Sequence, residues 1–187
     1  MAVPIIDSNM TLEEALAGKK IPEKIRENLV LTDISYFSFD GLVHRGQLVV
    51  HKQVENELKE IFDAIFKIKF IVEKAVPVSA YGWSDEDSMS ANNTSAFNYR
   101  LIYGTDRLSN HSYGLAVDIN PFINPYIASD GKVFPADASY NPDKPGALKE
   151  NDKVVSLFTS RGWEWGGRWN PKDWQHFQKK NCMYPIT

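Results

Sequence analysis

The chain has 187 residues, a net charge of −3, and 43% hydrophobic against 24% charged residues, which is the composition of an ordinary globular protein and excludes a disordered or repetitive one. Such a length suffices for a single domain with a substantial core, since a domain of about 150 residues buries close to 70% of its unfolded surface. Basic residues are scattered among acidic ones and leave nucleic acid no electrostatic footprint. No apolar run approaches the roughly 18 residues of a membrane span, so no transmembrane segment is expected.

Along the chain, residues 1–20 lack the basic start and apolar stretch of a signal peptide, as a mature fragment of an exported protein also would. Thr11, with Glu14 three residues later, forms the capping-box pattern of a short helix over residues 11–17. "LVLTDISYFSFDG" and "LVHRGQLVVH" are rich in β-branched and aromatic residues and meet at Asp40-Gly41, which predicts a hairpin. Over residues 52–66, Val54, Leu58, Ile61, Phe62 and Ile65 recur at helical spacing and form a core-facing stripe. "AVPVSAY" reads as a strand, and "GWSDEDSMSANNTSAFNYR" as a long polar loop. "GLAVDI" has the apolar character of a buried strand. Residues 121–146 carry five prolines and read as loop. Residues 151–161 can form a helix stopped by Gly162, and "DWQHFQ" is a last strand. Strands and helices do not alternate as βαβ units, so the expected class is α+β with an antiparallel sheet. The single cysteine, Cys182, excludes an internal disulfide and is expected to be a bystander.

Chemistry concentrates in few residues, because the chain has only four histidines. His44 and His51 fall in the hairpin and before the helix, where surface or capping roles are expected. "SNHSYGLAVDIN" places His111 ahead of Gly114 and Asp118, and "NPKDWQHFQ" places Asp173 three residues before His176. Two histidines and a carboxylate, His111, His176 and Asp118, make a set that holds a catalytic zinc and leaves its fourth position to water, whereas a structural site more often uses cysteines. Asp173 would then take the proton of the attacking water. In an extended strand residues 173 and 176 face opposite ways, so this reading requires a bend, for which Asn170 and Pro171 are placed. Spacing alone leaves a second reading open, with His111 capping a turn and Asp118 bonded to backbone.

The two segments together resemble the VanY-type zinc D-alanyl-D-alanine carboxypeptidases, a family that includes D-Ala-D-Ala dipeptidases and L-alanyl-D-glutamate endopeptidases. The family pattern is met at Ser109, His111, Gly114, Ala116, Asp118, Asp173 and His176. The similarity extends to "GQLVVHKQVENELKEIF", "NTSAFNYR", "INPFINPY" and "GWEWGGRW", over residues 45–180, with residues 1–44 expected as an extension packed on one zinc peptidase domain spanning residues 1–187.

The resemblance implies a zinc metallopeptidase of α+β fold with a central antiparallel sheet flanked by helices, and one Zn2+ per chain in a cleft on the sheet. Peptidoglycan stem peptides are the implied partner, a monomer the implied state, and the cell envelope or exterior the implied location. It assigns the metal to His111, Asp118 and His176, catalysis to Asp173, and oxyanion stabilisation to an upstream arginine, Arg100 or its rival Arg107. Glu164 is the alternative base. Ser109, Tyr113, Trp165 and Trp174 are expected to contact substrate or to hold the ligands. Trp163 and Trp169 belong to the same aromatic cluster, which serves either the cleft wall or the core. Asp173 stands where the dipeptidases and some carboxypeptidases have glutamate and is more usual in the endopeptidases. Carboxypeptidase action is favoured, with endopeptidase action or a non-catalytic wall-binding zinc domain as alternatives.

Overall fold

In the computed structural model, which describes residues 3–179, the chain begins with strand β1 (Ile5–Ile6), helices α1 (Leu12–Ala15) and α2 (Glu23–Arg26), strands β2 (Leu29–Phe37) and β3 (Val43–His51), and helix α3 (Glu55–Lys67). Strand β4 (Lys74–Ala75), helix α4 (Asp85–Ser90) and strands β5 (Asn93–Thr94), β6 (Ala116–Asp118), β7 (Tyr126–Ile127) and β8 (Val133–Phe134) follow. Helix α5 (Lys153–Thr159) and strands β9 (Trp163–Trp165) and β10 (His176–Lys179) complete the order. Cys182 lies outside the described residues.

The class is α+β, without a closed barrel. In place of one central antiparallel sheet, the described residues form two three-stranded sheets, β1-β3-β2 and β6-β10-β9, and two strand pairs, β4-β5 and β7-β8. The first sheet is mixed, since β1 runs parallel to β3 while β2 is antiparallel to it. The second is antiparallel throughout. Strand β6 lies 58 positions from its partner on β10 and ten residues separate β9 from β10, so no tight hairpin turn nucleates the sheet. Strand β3 runs across residue 44, so residues 1–44 supply strands to the same sheet as the residues that follow them.

The predicted hairpin forms with Leu29 opposite His51 and Phe37 opposite Val43. The Asp40 carboxylate accepts the Leu42 N–H at 2.9 Å and closes the turn. Thr11 and Glu14 make the reciprocal capping box of α1. The stripe on α3 buries Leu58, Ile61, Phe62 and Ile65 against Tyr36, Leu48 and Val50 of the hairpin. The same core takes in Val117, Trp163, Trp165 and Phe177 from the second sheet and Phe158 from α5, so α3 and α5 join the two sheets.

Three expectations fail, one of them in residues 121–146, read as loop, where β7 and β8 pair antiparallel. In "AVPVSAY" only Ala75 is strand, and residues Val78–Tyr81 form a single 3-10 turn after Pro77, because proline has no N–H for a ladder. The segment read as a long loop contains α4, capped by the Ser84 hydroxyl on the Asp87 N–H at 3.1 Å. Its acidic first turn, Asp85, Glu86 and Asp87, suits a helix N-terminus.

Candidate metal centre and active site

Within "SNHSYGLAVDIN", residues Asn110–Tyr113 form a 3-10 turn that leads into β6. The Ser109 hydroxyl accepts the His111 N–H at 3.3 Å and caps this turn. Gly114 ends it at φ +68°. A Cβ there would lie 2.5 Å from the His51 nitrogen and 2.8 Å from the Val50 carbonyl carbon, while the Gly114 carbonyl accepts the His51 N–H at 2.9 Å. Glycine is therefore required both by backbone conformation and by the close seat of the turn on the end of β3.

Strand alternation sends the functional side chains one way and the core side chains the other. On β10, His176 and Gln178 line a cavity of about 540 Å3, while Phe177 between them is buried and stacks on Phe158 at 4.0 Å. Asp118 ends β6 directly opposite His176. The three expected ligands therefore meet. His111 Nε2 lies 3.1 Å from His176 Nδ1 and 3.1 Å from Asp118 Oδ2, and His176 Nδ1 lies 2.9 Å from Asp118 Oδ1. All three side chains are buried, and one ligand atom from each falls within 4.8 Å of the others.

Protonation distinguishes a metal site from a plain hydrogen-bonded cluster. His111 Nδ1 is 2.5 Å from the Ala96 carbonyl, which only accepts, so Nδ1 carries the hydrogen and Nε2 presents a lone pair. His176 Nε2 faces Gln178 Oε1 at 3.3 Å, which leaves a lone pair on Nδ1. Two neutral imidazoles would thus set acceptor against acceptor at 3.1 Å. A proton or a metal cation must lie between them. Burial alone would raise the Asp118 carboxyl, but His111 and His176 outweigh it and hold Asp118 well below the usual carboxylate range. Burial alone would lower His176, yet Asp118 and Asp173 raise it. Two imidazole nitrogens and a carboxylate fit zinc, and their three positions leave a fourth toward the cavity.

Asp173 lines the same cavity. The required bend is present, since the Asp173 N–H donates to the Gly166 carbonyl at 3.1 Å and the His176 N–H to the Asp173 carbonyl at 3.4 Å. Gly166 permits this approach, because a Cβ on it would meet the Asp173 carbonyl oxygen at 2.5 Å. Asp173 Oδ1 is buried without a hydrogen-bond partner. Burial, reinforced by Asp118, pushes its carboxyl up to about 7 against the opposing pull of His176 and Arg100. Arg100 also lines the cavity, with Nε 2.9 Å from the Asp85 carboxylate. Arg107 lines it as well and makes no ion pair among the described residues. This cavity thus gathers a triad that could hold a cation, a half-buried carboxyl suited to proton transfer, and two guanidinium groups.

Other expected residues sit behind the cavity. Glu164 does not line it, and its carboxylate instead accepts the Gln178 side-chain N–H at 2.9 Å. Trp163 and Trp165 are core residues, and Trp165 Nε1 donates to the Trp174 carbonyl at 2.9 Å. Trp174 stacks on Tyr140 at 4.1 Å. Trp165 and Trp174 therefore brace the segment behind Asp173 and His176 and present no face to the cavity, because their rings complete the apolar layer under β10. Tyr113 packs against the core in the same way. Trp169 is the tryptophan that lines the cavity, its ring 5.3 Å from that of His176. His51 Nδ1 accepts the Gln53 N–H at 3.2 Å, a local cap. His44 is no surface residue, since it is buried between Asp7 and Asp40. Asp85, Asn110, Tyr126 and Gln178 escaped the sequence reading; Gln178, two residues after His176 on one strand, could have been found by alternation, whereas folding alone brings Asp85 and Tyr126 to the cavity.

A family model described as D-alanyl-D-alanine carboxypeptidase matches residues 103–179, a span that includes His111, Asp118, Asp173 and His176 and so bears out the resemblance read from those motifs. The match supports a peptidase. The N-terminal part of the resemblance, with "GQLVVHKQVENELKEIF" and "NTSAFNYR", lies outside the matched span. Comparison with curated proteins and with solved structures gave no match.

Proposed function

We propose that this chain is a zinc peptidase that hydrolyses peptide bonds flanked by D-residues in peptidoglycan stem peptides, acting as a carboxypeptidase on terminal D-Ala-D-Ala. The single observation that carries this reading is the convergence of the His111, Asp118 and His176 triad and the Asp173 carboxyl in one cavity, within the segment that matches the family model.

His111 Nε2, His176 Nδ1 and an Asp118 oxygen would hold one zinc ion, which when bound would supply Lewis acidity to polarise the scissile carbonyl and make water a better nucleophile. Asp173 accepts the proton that water loses as its oxygen bonds to the carbonyl carbon, and then gives that proton to the nitrogen of the breaking C–N bond. Water is thereby divided between the new carboxylate and the released amine. Arg100 donates to the carbonyl oxygen as charge develops there, with Asp85 setting its orientation. Arg107 is the alternative donor. Ser109 keeps His111 in its turn, Trp169 walls the cavity, and Trp165, Trp174 and Tyr113 hold the framework behind it. Chirality matters in such a cleft, because inverting one Cα turns its substituent into the wall and takes the carbonyl out of line. The whole chain acts as one peptidase unit and as a monomer.

The test uses zinc-supplemented protein and two synthetic stems, a pentapeptide ending in D-Ala-D-Ala and a tetrapeptide lacking the last residue. Free D-alanine from the first is the expected product. Release of L-alanine from either reassigns the protein as an endopeptidase. No product from either, with zinc bound, leaves a non-catalytic zinc domain.

A further inference from the structure

Gln178 lies at a junction that the catalytic reading does not use. Its Oε1 is 3.3 Å from His176 Nε2 and accepts the Asn110 side-chain N–H at 2.6 Å. Its Nε2 donates to Glu164 Oε2 at 2.9 Å. The Glu164 carboxylate only accepts when ionised, which fixes the amide with its NH2 toward Glu164 and its oxygen toward Asn110 and His176. One amide therefore does two things at once. It takes the hydrogen on His176 Nε2 and so keeps the Nδ1 lone pair facing Asp118 and His111. It also ties β10 to the residue preceding His111, which links the mounts of both imidazoles.

Resting on the zinc reading above, we propose that Gln178, oriented by Glu164, is the positioning residue that fixes the tautomer of His176 and its separation from His111 and so sets the affinity of the site for zinc. A group that holds the non-ligating nitrogen of a metal-bound histidine commonly changes metal affinity by about 10- to 100-fold when removed. No other side chain among the described residues bonds His176 Nε2. Asn110 and Glu164 serve the junction from opposite sides, one from the turn that carries His111 and one from β9.

The measurement is the zinc dissociation constant of the purified full chain, by competition with a chromophoric chelator, alongside the thermal midpoint of the metal-free protein. Gln178→Leu keeps the approximate volume and removes both hydrogen-bonding ends. It is expected to weaken zinc binding about 10- to 100-fold while the metal-free midpoint changes little. The double exchange Gln178→Glu with Glu164→Gln reverses the polarity of the junction but keeps an acceptor on His176 Nε2 and a bond between positions 164 and 178, so it should restore affinity. Unchanged affinity in Gln178→Leu, or no recovery in the double exchange, overturns the proposal. Failure of the unaltered chain to bind zinc overturns the zinc reading itself, which the same titration reports separately.

Discussion

The β2–β3 hairpin pairs nine residues with nine across a short turn, while the sheet β6–β10–β9 joins strands of three, four and three residues from segments more than forty positions apart at their widest. In the hairpin, Ile34, Tyr36, Leu48 and Val50 enter the core, where α3 meets them with Leu58, Ile61, Phe62 and Ile65. In the second sheet, one face meets that core through Val117, Trp165 and Phe177, and the other carries the buried polar groups Asp118 and His176. Buried polar groups contribute little net stability and cost much when left unpaired. The hairpin and its helix hold the molecule together, and the small sheet, with the turn before β6, uses that rigidity to keep His111, Asp118 and His176 in contact.

The sharpest way to break the contrast is at Asp173. Asp173→Ala is expected to cut turnover by about 10²- to 10⁴-fold, as loss of general acid–base catalysis does, with zinc content unchanged. Removing a half-buried carboxyl whose Oδ1 has no partner should leave the thermal midpoint unchanged or slightly raised. Loss of zinc together with activity would make Asp173 a ligand and return Asp118 to a structural role. Raised by burial to about 7, this carboxyl falls when a dication binds beside it, so the acidic limb of kcat/KM should lie below that value in the zinc form.

The opposite break is Phe62→Ala on α3, where the ring is 1% exposed. It should cost about 3–5 kcal/mol of folding stability in a denaturant titration. The folded fraction should retain normal kcat per zinc, because no part of α3 lines the cavity. A large fall in kcat per folded molecule would show that the framework tunes the chemistry as well as supporting it.

This contrast also explains what could be read from the sequence. The hairpin, α3 and the capping box of α1 are local patterns, in which neighbours in sequence become neighbours in space, and each appears where its periodicity or cap places it. His111, Asp118 and His176 were legible as a set because histidines are scarce and the motif that holds them fixes its own turn through Ser109 and Gly114. The architecture of the second sheet was not legible, since strands of three or four residues carry too few alternations to register, and their pairing depends on distant partners. For the same reason the sequence did not separate Trp169 on the cavity wall from Trp163 and Trp165 in the core. Four tryptophans lie within twelve residues, and only the bend through Asn170 and Pro171 sends one of them outward. Asp85 meets Arg100 fifteen positions along the chain, where no spacing rule connects them.

The smallest expected effect tests whether the first sheet is as free of functional titration as its apolar face suggests. His44 on β3 is buried, with Nδ1 2.9 Å from Asp7 and Nε2 3.0 Å from Asp40, and its ring stacks on Tyr36 at 6.0 Å. Burial alone would lower its pKa, but hydrogen bonds to Asp40 and Asp7 outweigh that and raise it. A raised folded-state pKa means that the protonated ring stabilises the fold. That contribution is complete below the unfolded value of about 6.5 and is lost as pH rises through the folded value. Stability should therefore fall with increasing pH above about 6.5, by at most about 1.4 kcal/mol per pH unit for one proton. His51, whose pKa burial lowers, works in the opposite sense, so the signal is read as the difference between the unaltered chain and His44→Gln. That difference should shrink from pH 6 to pH 9 in the zinc-loaded protein, in which His176 is held by metal and does not titrate. A constant difference would mean that the Asp7–His44–Asp40 contact, which fastens β1 and the hairpin turn to β3, holds equally well through a neutral imidazole.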